Sequence, residues 1–236
     1  MNALAELYAC IYARELPAQA LLRLRPELHD KPCVVLEGEP PAQTACSLNT
    51  RARLLGLRRG MTKVEVDTFE GVSVLQRSAR TEDEVRIILL ECAGSFSPRV
   101  EDRSINGVFV CALDIAGTEG LFGPPLVLAK QLRQRLRTMG IAAFVTISAN
   151  LHTAVCIARG LAGGTPIQVV PRGDEAKALA TLPLRVLDVT EAQSEIFRAW
   201  GIRTVSALAA LPEKSLISRL GQDAKRLASV ALRCRA

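Results

Sequence analysis

Acidic side chains on either side of a short turn are the first candidates for chemistry in this sequence, because carboxylates that converge can hold a divalent cation. Asp102 and Asp114 flank Asn106-Gly107, a dipeptide that strongly favours a two-residue β-hairpin turn. Side chains alternate between the two faces of a strand, and counting outward from such a turn places the two aspartates on opposite faces. They are therefore not expected to share a metal.

A cysteine nucleophile or a zinc site is a second possibility. His152 and Cys156 are one helical turn apart, and Cys156 or Cys10 could act as a nucleophile with His152 as its base. The sequence holds only two histidines, its seven cysteines form no Cys-x-x-Cys pair, and no acid that would orient His152 is evident. Reduced thiols buried in the core of a cytosolic protein are the better interpretation, and no metal site is expected.

Composition excludes some classes of protein and favours others. The 236 residues are 49% hydrophobic, enough for real cores, and the net charge of +6 favours a polyanionic partner such as nucleic acid. No uninterrupted apolar run approaches a membrane span, and the N-terminus lacks the features of a secretory signal. A cytoplasmic, nucleoid-associated protein without a membrane contact is expected.

The elements that would position these residues alternate between strand and helix. Strands are expected at 7–13, 31–38, 72–76, 99–105, 108–115, 141–148 and 166–170. Helices are expected at 43–55, from 61, from a capping box at 81–84 to about 95, at 125–139, and at 151–159 after an Asn150 cap. This order predicts an α+β fold of the ferredoxin-like kind, with the section 16–75 inserted after the first strand.

Short helices follow from residue 165. The segment AWGIRTVSALAALP has the helix–Gly–Ile–helix rhythm of a helix-hairpin-helix, in which backbone N–H groups at a helix start hold a phosphate without reading sequence. Residues 182–236 carry nine basic and five acidic side chains. An ordinary small helical bundle explains the pattern equally well, and both interpretations stay open.

Five ordered blocks of the chain resemble the Y-family translesion DNA polymerases, and most closely the non-catalytic ImuB branch of that family. The blocks are LPAQALLRLRPELHDKPCVVLEG, ACSLNTRARLLGLRRGM, FSPRVEDRSINGVF, ALDIAGTEGLFG and LPLRVL…WGIRTVSALAALPEKSLISRLG. The resemblance implies a palm at 1–15 and 76–164, small fingers at 16–75, and an all-helical helix-hairpin-helix thumb at 165–236. The family's little finger is expected to be absent from this chain.

The family's reaction needs three carboxylates that hold two divalent cations. Carried across by the resemblance, the first falls on Tyr12 and the other two fall on Asn106 and Gly107. None of these side chains offers an anionic oxygen at neutral pH, so no catalytic residue and no Mg²⁺ cofactor are expected.

The family's nucleotide-binding residues are also changed. The tyrosine of its "YEAR" helix becomes Thr50, its arginine persists as Arg53, and a lysine expected after the palm strand falls on Leu151. Thr50 and Arg53 are thus a remnant of a phosphate site, although a solvated arginine explains Arg53 as well. The thumb residues expected to contact DNA are Arg198, Gly201, Arg203, Thr204, Lys225 and Arg226.

The leading hypothesis is a non-catalytic, DNA-binding adaptor for translesion synthesis and damage-induced mutagenesis. The resemblance implies four partners: primer–template DNA, an ImuA-type RecA-like protein, an error-prone C-family polymerase, and a sliding clamp reached through a further C-terminal part. The alternative is an active Y-family polymerase whose carboxylates have moved, with Glu101, Asp102 and Asp114 as the candidate Mg²⁺ ligands.

Overall fold

The computed structural model of the chain describes residues 5–161, 164–187 and 189–220. Within these ranges the strands are β1 (Tyr8–Ala13), β2 (Cys33–Glu37), β3 (Thr44–Leu48), β4 (Ser73–Gln76), β5 (Val100–Asp102), β6 (Phe109–Asp114), β7 (Phe144–Ser148) and β8 (Ile167–Val169). The predicted DNA contacts Lys225 and Arg226 lie outside the described residues.

The helices of the same ranges begin directly after the first strand. They are α1 (Leu16–Leu22), α2 (Thr50–Leu54), α3 (Lys63–Val66), α4 (Ala79–Gly94), α5 (Glu119–Phe122), α6 (Pro125–Thr138), α7 (Leu151–Gly160), α8 (Glu175–Ala180), α9 (Glu191–Ala199), α10 (Val205–Ala209) and α11 (Glu213–Leu220). Single 3₁₀ turns occur at Pro26–Leu28 and Leu184–Leu187. None of the helices described is both long and apolar enough to cross a bilayer.

The larger sheet has five strands in the order β5-β6-β1-β7-β8. Its central strands β1 and β6 are almost entirely buried, as their unbroken apolar sequences require. Along the chain, β1 is followed by the insertion and then by α4, β5, β6, α6 and β7. This mixed α/β fold has the predicted order of strands and helices.

A second sheet, in the order β3-β2-β4, lies within the inserted section. β2 pairs with β3 antiparallel and with β4 parallel. The insertion has a small core of its own, which includes Val34, Leu36, Leu48, Leu57 and Val66. It is thus a folded part of the chain rather than a long loop.

The predicted helix at 43–55 is wrong in its first half. Residues Thr44–Leu48 form strand β3, and only Thr50–Leu54 is helical. Asn49 separates the two elements, since its side chain accepts hydrogen bonds from the N–H groups of Ala52 and Cys33. Pairing with β2 overrides the weak helical preference of this alternating segment.

The predicted start of α4 is also wrong. Ser78, not Thr81, caps the helix, and its side chain accepts from the Thr81 N–H. Glu84 does not reach back to the cap but pairs with Arg80 at 2.8 Å. Ser78 and Thr81 are both of a type that favours capping, and they are three positions apart. Because the earlier residue is the cap, the helix is longer by about one turn than predicted.

The hairpin at Asn106-Gly107 is confirmed. Both turn residues have positive φ, 48° and 72°, as a type I′ turn requires. Ile105 and Val108 exchange two backbone hydrogen bonds of 3.0 Å, and the Arg103 N–H donates to the Val110 carbonyl. The predicted register therefore holds around the turn, although β5 is shorter than the strand expected at 99–105.

Two compact units emerge from the contacts between residues. One consists of Ile11–Cys111 with Lys130–Ala143, and the other consists of the described parts of 1–10, 112–129 and 144–236. The core of the second unit includes Cys156, Leu184, Phe197, Val205 and Leu208. The palm, fingers and thumb boundaries named above stay predictions.

Candidate functional site

The hairpin tip meets the start of α1. The Gly107 carbonyl accepts a 2.9 Å hydrogen bond from the Leu16 N–H, four residues beyond the half-buried Tyr12 on the same segment. A Cβ atom at position 107 would lie 3.0 Å from Cγ of Pro17. With φ at +72° in addition, a side chain at position 107 would strain the backbone and press against Pro17. Asn106 beside it is exposed.

The acids nearest the hairpin in sequence already have partners. Glu101 pairs with Arg103 at 2.9 Å. Asp102 pairs with Arg86 at 2.9 Å and accepts from the Ser104 N–H. Burial acts to raise the pKa of Asp102, but the hydrogen bonds from Ser104 and the charge of Arg86 outweigh it and lower that pKa.

Asp114, the third candidate ligand, accepts a 3.0 Å hydrogen bond from the Ala116 N–H beyond β6. Over the described parts of the chain, no three or more His, Cys, Asp or Glu side chains come together as a metal would need. The side chains at positions 12, 106 and 107 do not fit a pair of Mg²⁺ ions, since an aromatic, an amide and a hydrogen atom replace three carboxylates.

A buried carboxylate, not predicted from the sequence, lies at the end of β1. Glu15 is 7% exposed and adopts the left-handed conformation, with φ at 57°. Its Oε2 atom accepts from the Ser47 hydroxyl at 2.7 Å and from the Leu48 N–H at 3.0 Å. Since a buried charge needs several partners, these bonds attach the inserted section to the residue just before α1.

Arginines complete the surroundings of Glu15. Arg59 lies 2.9 Å from Oε2, and Arg53 lies 3.3 Å from Oε1. Burial, and then the charge of Arg53, lower the pKa of Arg14, which is close enough to feel Arg59 as well. We call Arg14, Glu15, Arg53 and Arg59 the Glu15 cluster.

The Glu15 cluster carries three guanidinium groups and one carboxylate. An excess of positive charge repels a divalent cation and attracts an anion. The predicted phosphate residue Arg53 is part of this cluster and shares the Glu15 carboxylate with Arg59, which is the closer of the two. Thr50, its predicted companion, is exposed at the start of α2. Leu151 is half-buried at the start of α7.

Glu15, Arg14 and Arg59 were missed because nothing in their spacing marks them as a set. Glu15 is 44 residues from Arg59, and long-range ion pairs leave no periodic signal. The one local signal is an acidic residue directly before Leu16-Pro17, where Pro marks a helix start.

The predicted thumb contacts lie where α9 turns into α10. Gly201 has φ at 73°, and Thr204 caps α10 by accepting from the Ala207 N–H. Arg198, Gly201 and Arg203 are exposed, and Thr204 is half-buried. The Leu184 N–H donates to the Arg203 carbonyl, which fixes the turn against the segment before α9.

The cysteine hypothesis gains no support from the geometry. Cys156 is buried and its thiol donates to the Val186 carbonyl, whereas His152 is exposed on the same helix. Cys10 is fully buried within β1. A nucleophile needs access to its substrate, and neither thiol has it.

Solved structures of polymerases share this fold. The crystal structure of DinB from Sulfolobus solfataricus matches 96% of the chain with a TM-score of 0.80 at 18% identity, over 67% of the DinB chain. An insertion ternary complex of Dbh DNA polymerase matches 97% of the chain with a TM-score of 0.81, also at 18% identity and over 67% of the Dbh chain. At this identity the likeness shows the fold alone.

Sequence comparison identifies the family. Residues 11–159 match the impB/mucB/samB family, and the chain belongs to it. It is 32% identical to DNA polymerase IV of Dehalococcoides mccartyi (strain CBDB1) over 219 residues, which cover 89% of this chain and 53% of that polymerase. Protein ImuB of Caulobacter vibrioides is 32% identical over 126 residues, which cover 53% of this chain and 26% of ImuB.

The predicted resemblance to Y-family polymerases is thus confirmed. The chain spans about half the length of the polymerase IV relatives that it matches. Relatives of both kinds, polymerase IV and ImuB, match at the same identity.

Proposed function

We propose that this chain is a polymerase-like protein that binds primer–template DNA and does not itself add nucleotides. Its role is that of an adaptor in translesion synthesis and damage-induced mutagenesis. The palm is ferredoxin-like (1–15 and 76–164), the fingers are the insertion (16–75), and a helix-hairpin-helix thumb begins at residue 165.

The observation that carries this proposal is the packing of Gly107. A carboxylate at this position would need a Cβ atom 3.0 Å from the Pro17 ring, which would have to shift to admit it. The hairpin tip is held there by the bond from the Leu16 N–H to the Gly107 carbonyl. The hairpin is a well-formed turn that joins β5 to β6 and reaches α1, and a side chain at position 107 would strain the backbone and displace Pro17.

The Glu15 cluster supports the same conclusion. Arg53 is the residue expected to meet a nucleotide phosphate, and its guanidinium faces the buried carboxylate of Glu15 instead. A triphosphate would have to displace that carboxylate or share the arginine with it. Both cost part of the binding energy that Arg53 could supply, because the carboxylate competes with the triphosphate for that arginine.

DNA binding is proposed on two grounds. The fold is that of polymerases, one of which was solved as an insertion ternary complex. In the thumb, Arg198 and Arg203 are exposed and form no ion pair with any described residue. Two unpaired guanidinium groups near the Gly201 turn suit phosphates, which give binding without sequence preference.

Fluorescence anisotropy with a labelled primer–template tests this half of the proposal. We expect affinity to fall steeply between about 50 and 200 mM salt, because each phosphate contact releases counterions. Affinity that does not change with salt, or no binding at all, would count against it.

The partners are proposed by the same resemblance. The partners would be an ImuA-type RecA-like protein and an error-prone C-family polymerase that performs the chemistry, and a sliding clamp would be engaged through a further C-terminal part. The 32% identity to Protein ImuB supports this assignment. Co-purification of the whole protein with each candidate partner tests it.

An active polymerase is the second candidate function, and the 32% identity to DNA polymerase IV over 89% of the chain favours it. It would have to recruit Glu101, Asp102 or Asp114 as ligands for Mg²⁺. Any incorporation of nucleotide should then be lost in the Asp102→Asn and Asp114→Asn variants. Incorporation that survives both changes would point to other ligands.

A further inference from the structure

A basic surface lies on the last turns of α6 and on the end of α1, within one compact unit. Lys130, Arg133 and Arg137 are spaced i, i+3 and i+7, which places them on one side of α6. Arg23 adjoins the end of that helix, since a Cβ on Gly140 would lie 3.1 Å from the Arg23 Cβ. We call Arg23, Lys130, Arg133 and Arg137 the α6 basic face.

Acids do not neutralise this face. None of its four cations forms an ion pair with any residue that the structure describes. Elsewhere in the same unit the pattern is different, and most cations are paired. The paired ones include Arg51, Arg53, Arg59, Lys63, Arg77, Arg80, Arg86 and Arg103.

Helix electrostatics explain only part of the arrangement. Arg137 lies in the last turn of α6, where a cation is favoured by the helix dipole. Lys130 and Arg133 lie one to two turns earlier, where the dipole no longer acts. Arg135, on the opposite side of the helix, donates to the Ser95 hydroxyl and belongs to the packing of α4.

Two of the arginines on this face are partly covered. The Nε atoms of Arg23 and Arg133 have no hydrogen-bond partner among the described residues, and the same holds for Nε of the paired Arg86 and Arg103. A guanidinium presents its donors as a rigid fork that matches two oxygens of one phosphate. Arg23 and Arg133 are half-buried, so they would contact such a ligand through their terminal N–H groups and not through the covered Nε.

We propose that the α6 basic face binds the backbone phosphates of double-stranded DNA, as a second contact besides the thumb. This inference rests on the proposed DNA-binding function. Lys130 and Arg137 are about 10 Å apart along the helix axis, far enough for the two cations to contact different phosphates.

The rest of the surface favours duplex backbone over other occupants. Exposed residues on the same stretches of chain include Leu24, Leu126, Val127, Gln131 and Gln134, and none of them is aromatic. Proteins that grip single strands rely on aromatic side chains on which bases stack, and this face offers none. The face therefore suits phosphates and not bases.

The test compares two variants of the full chain that each lose two exposed charges. Lys130→Gln/Arg137→Gln removes half of the α6 basic face. Lys31→Gln/Arg80→Gln removes two exposed cations of the same unit that lie outside it. Binding to a blunt duplex is measured by anisotropy at several salt concentrations, and thermal unfolding checks that both variants are folded.

We expect the slope of log affinity against log salt concentration to become shallower by about 2 for Lys130→Gln/Arg137→Gln. Each phosphate contact contributes about 0.9 to that slope, and this variant loses two. The control variant should keep the parent's slope. Equal slopes for parent and both variants would overturn this inference while leaving the proposed function intact. A parent chain that binds no duplex would overturn both.

Polyglutamate serves as a second probe. Three results together would mean that the face recognises an acidic protein: the parent binds polyglutamate, Lys130→Gln/Arg137→Gln loses that binding, and the duplex slopes stay equal. That outcome would contradict the proposal.

Discussion

Glu15 and Arg59 form an ion pair of 2.9 Å between the end of the first strand and the loop before α3. The glutamate side chain is 9% exposed and the arginine is 42% exposed. Ser47 and Leu48 add two further bonds to the same carboxylate oxygen. This buried carboxylate therefore holds the inserted section in place. It also pairs with Arg53, the arginine expected to face a nucleotide.

Replacing Glu15 by Gln should destabilise the fold by about 2–4 kcal/mol, because two arginines and a hydroxyl lose their charged acceptor. Urea denaturation measures the free energy of unfolding. Glu27→Gln is the control, since Glu27 is exposed and should change that free energy by less than about 0.5 kcal/mol. Equal effects of the two changes would contradict the structural role of Glu15.

The same pair can be tested by a double-mutant cycle. Arg59→Gln alone should destabilise the chain, and Glu15→Gln/Arg59→Gln should cost less than the sum of the two single changes. A coupling energy near zero would mean that the two residues do not interact in solution.

The hairpin tip gives a second pair of matched variants. Gly107→Ala should destabilise the chain by about 1–3 kcal/mol, since it adds a Cβ 3.0 Å from Pro17 at a positive φ. Asn106→Asp should be nearly neutral, because both residues tolerate φ near 48° and position 106 is exposed. Thermal unfolding of the two variants checks both expectations, and a tolerated Gly107→Ala would remove the steric argument against a ligand at this position.

Local rules made the hairpin and most strands predictable. The Asn-Gly turn, the Asn150 cap and the run of α6 follow from residue types and short spacings, which sequence displays directly. Strand β3 was predicted as helix because its pairing with β2 is a tertiary effect. The Glu15 cluster was missed for a similar reason, since its members are brought together by the insertion and not by any repeat.

Cys46 provides a test of burial in the inserted section. Burial, reinforced by the charge of Glu37, raises the pKa of the Cys46 thiol to about 11. The thiol should stay protonated at neutral pH, so its alkylation by iodoacetamide should be slow and should keep accelerating about tenfold per pH unit beyond pH 9. In denaturant the rate should level off near pH 9 instead.

Peptide-level mass spectrometry follows this reaction at Cys46. The sign of the stability effect is fixed by the raised pKa. The half-buried thiol is compatible with folding below the unfolded pKa of 9.0, and stability is lost as the pH rises from there towards 11. A folded-state rate that levels off at or below pH 9 would contradict the burial of this side chain.

The thumb arginines give a prediction for DNA binding. Arg198→Gln/Arg203→Gln should weaken primer–template binding and reduce the salt slope by about 2 if both contact phosphates. Lys31→Gln/Arg80→Gln again serves as the charge-matched control. The loss should be the same for unrelated DNA sequences, because phosphate contacts carry no sequence information. A loss confined to one sequence, or an unchanged slope, would contradict this assignment.

The most direct test of the central claim is a primer-extension assay at high protein concentration with Mg²⁺ or Mn²⁺ and all four nucleotides. We propose that Tyr12, Asn106 and Gly107 stand where active relatives carry three carboxylates, so the chain is predicted to leave the primer unextended while still binding it. DNA polymerase IV serves as the positive control. Extension that depends on the metal and is abolished by a chelator would contradict the claim.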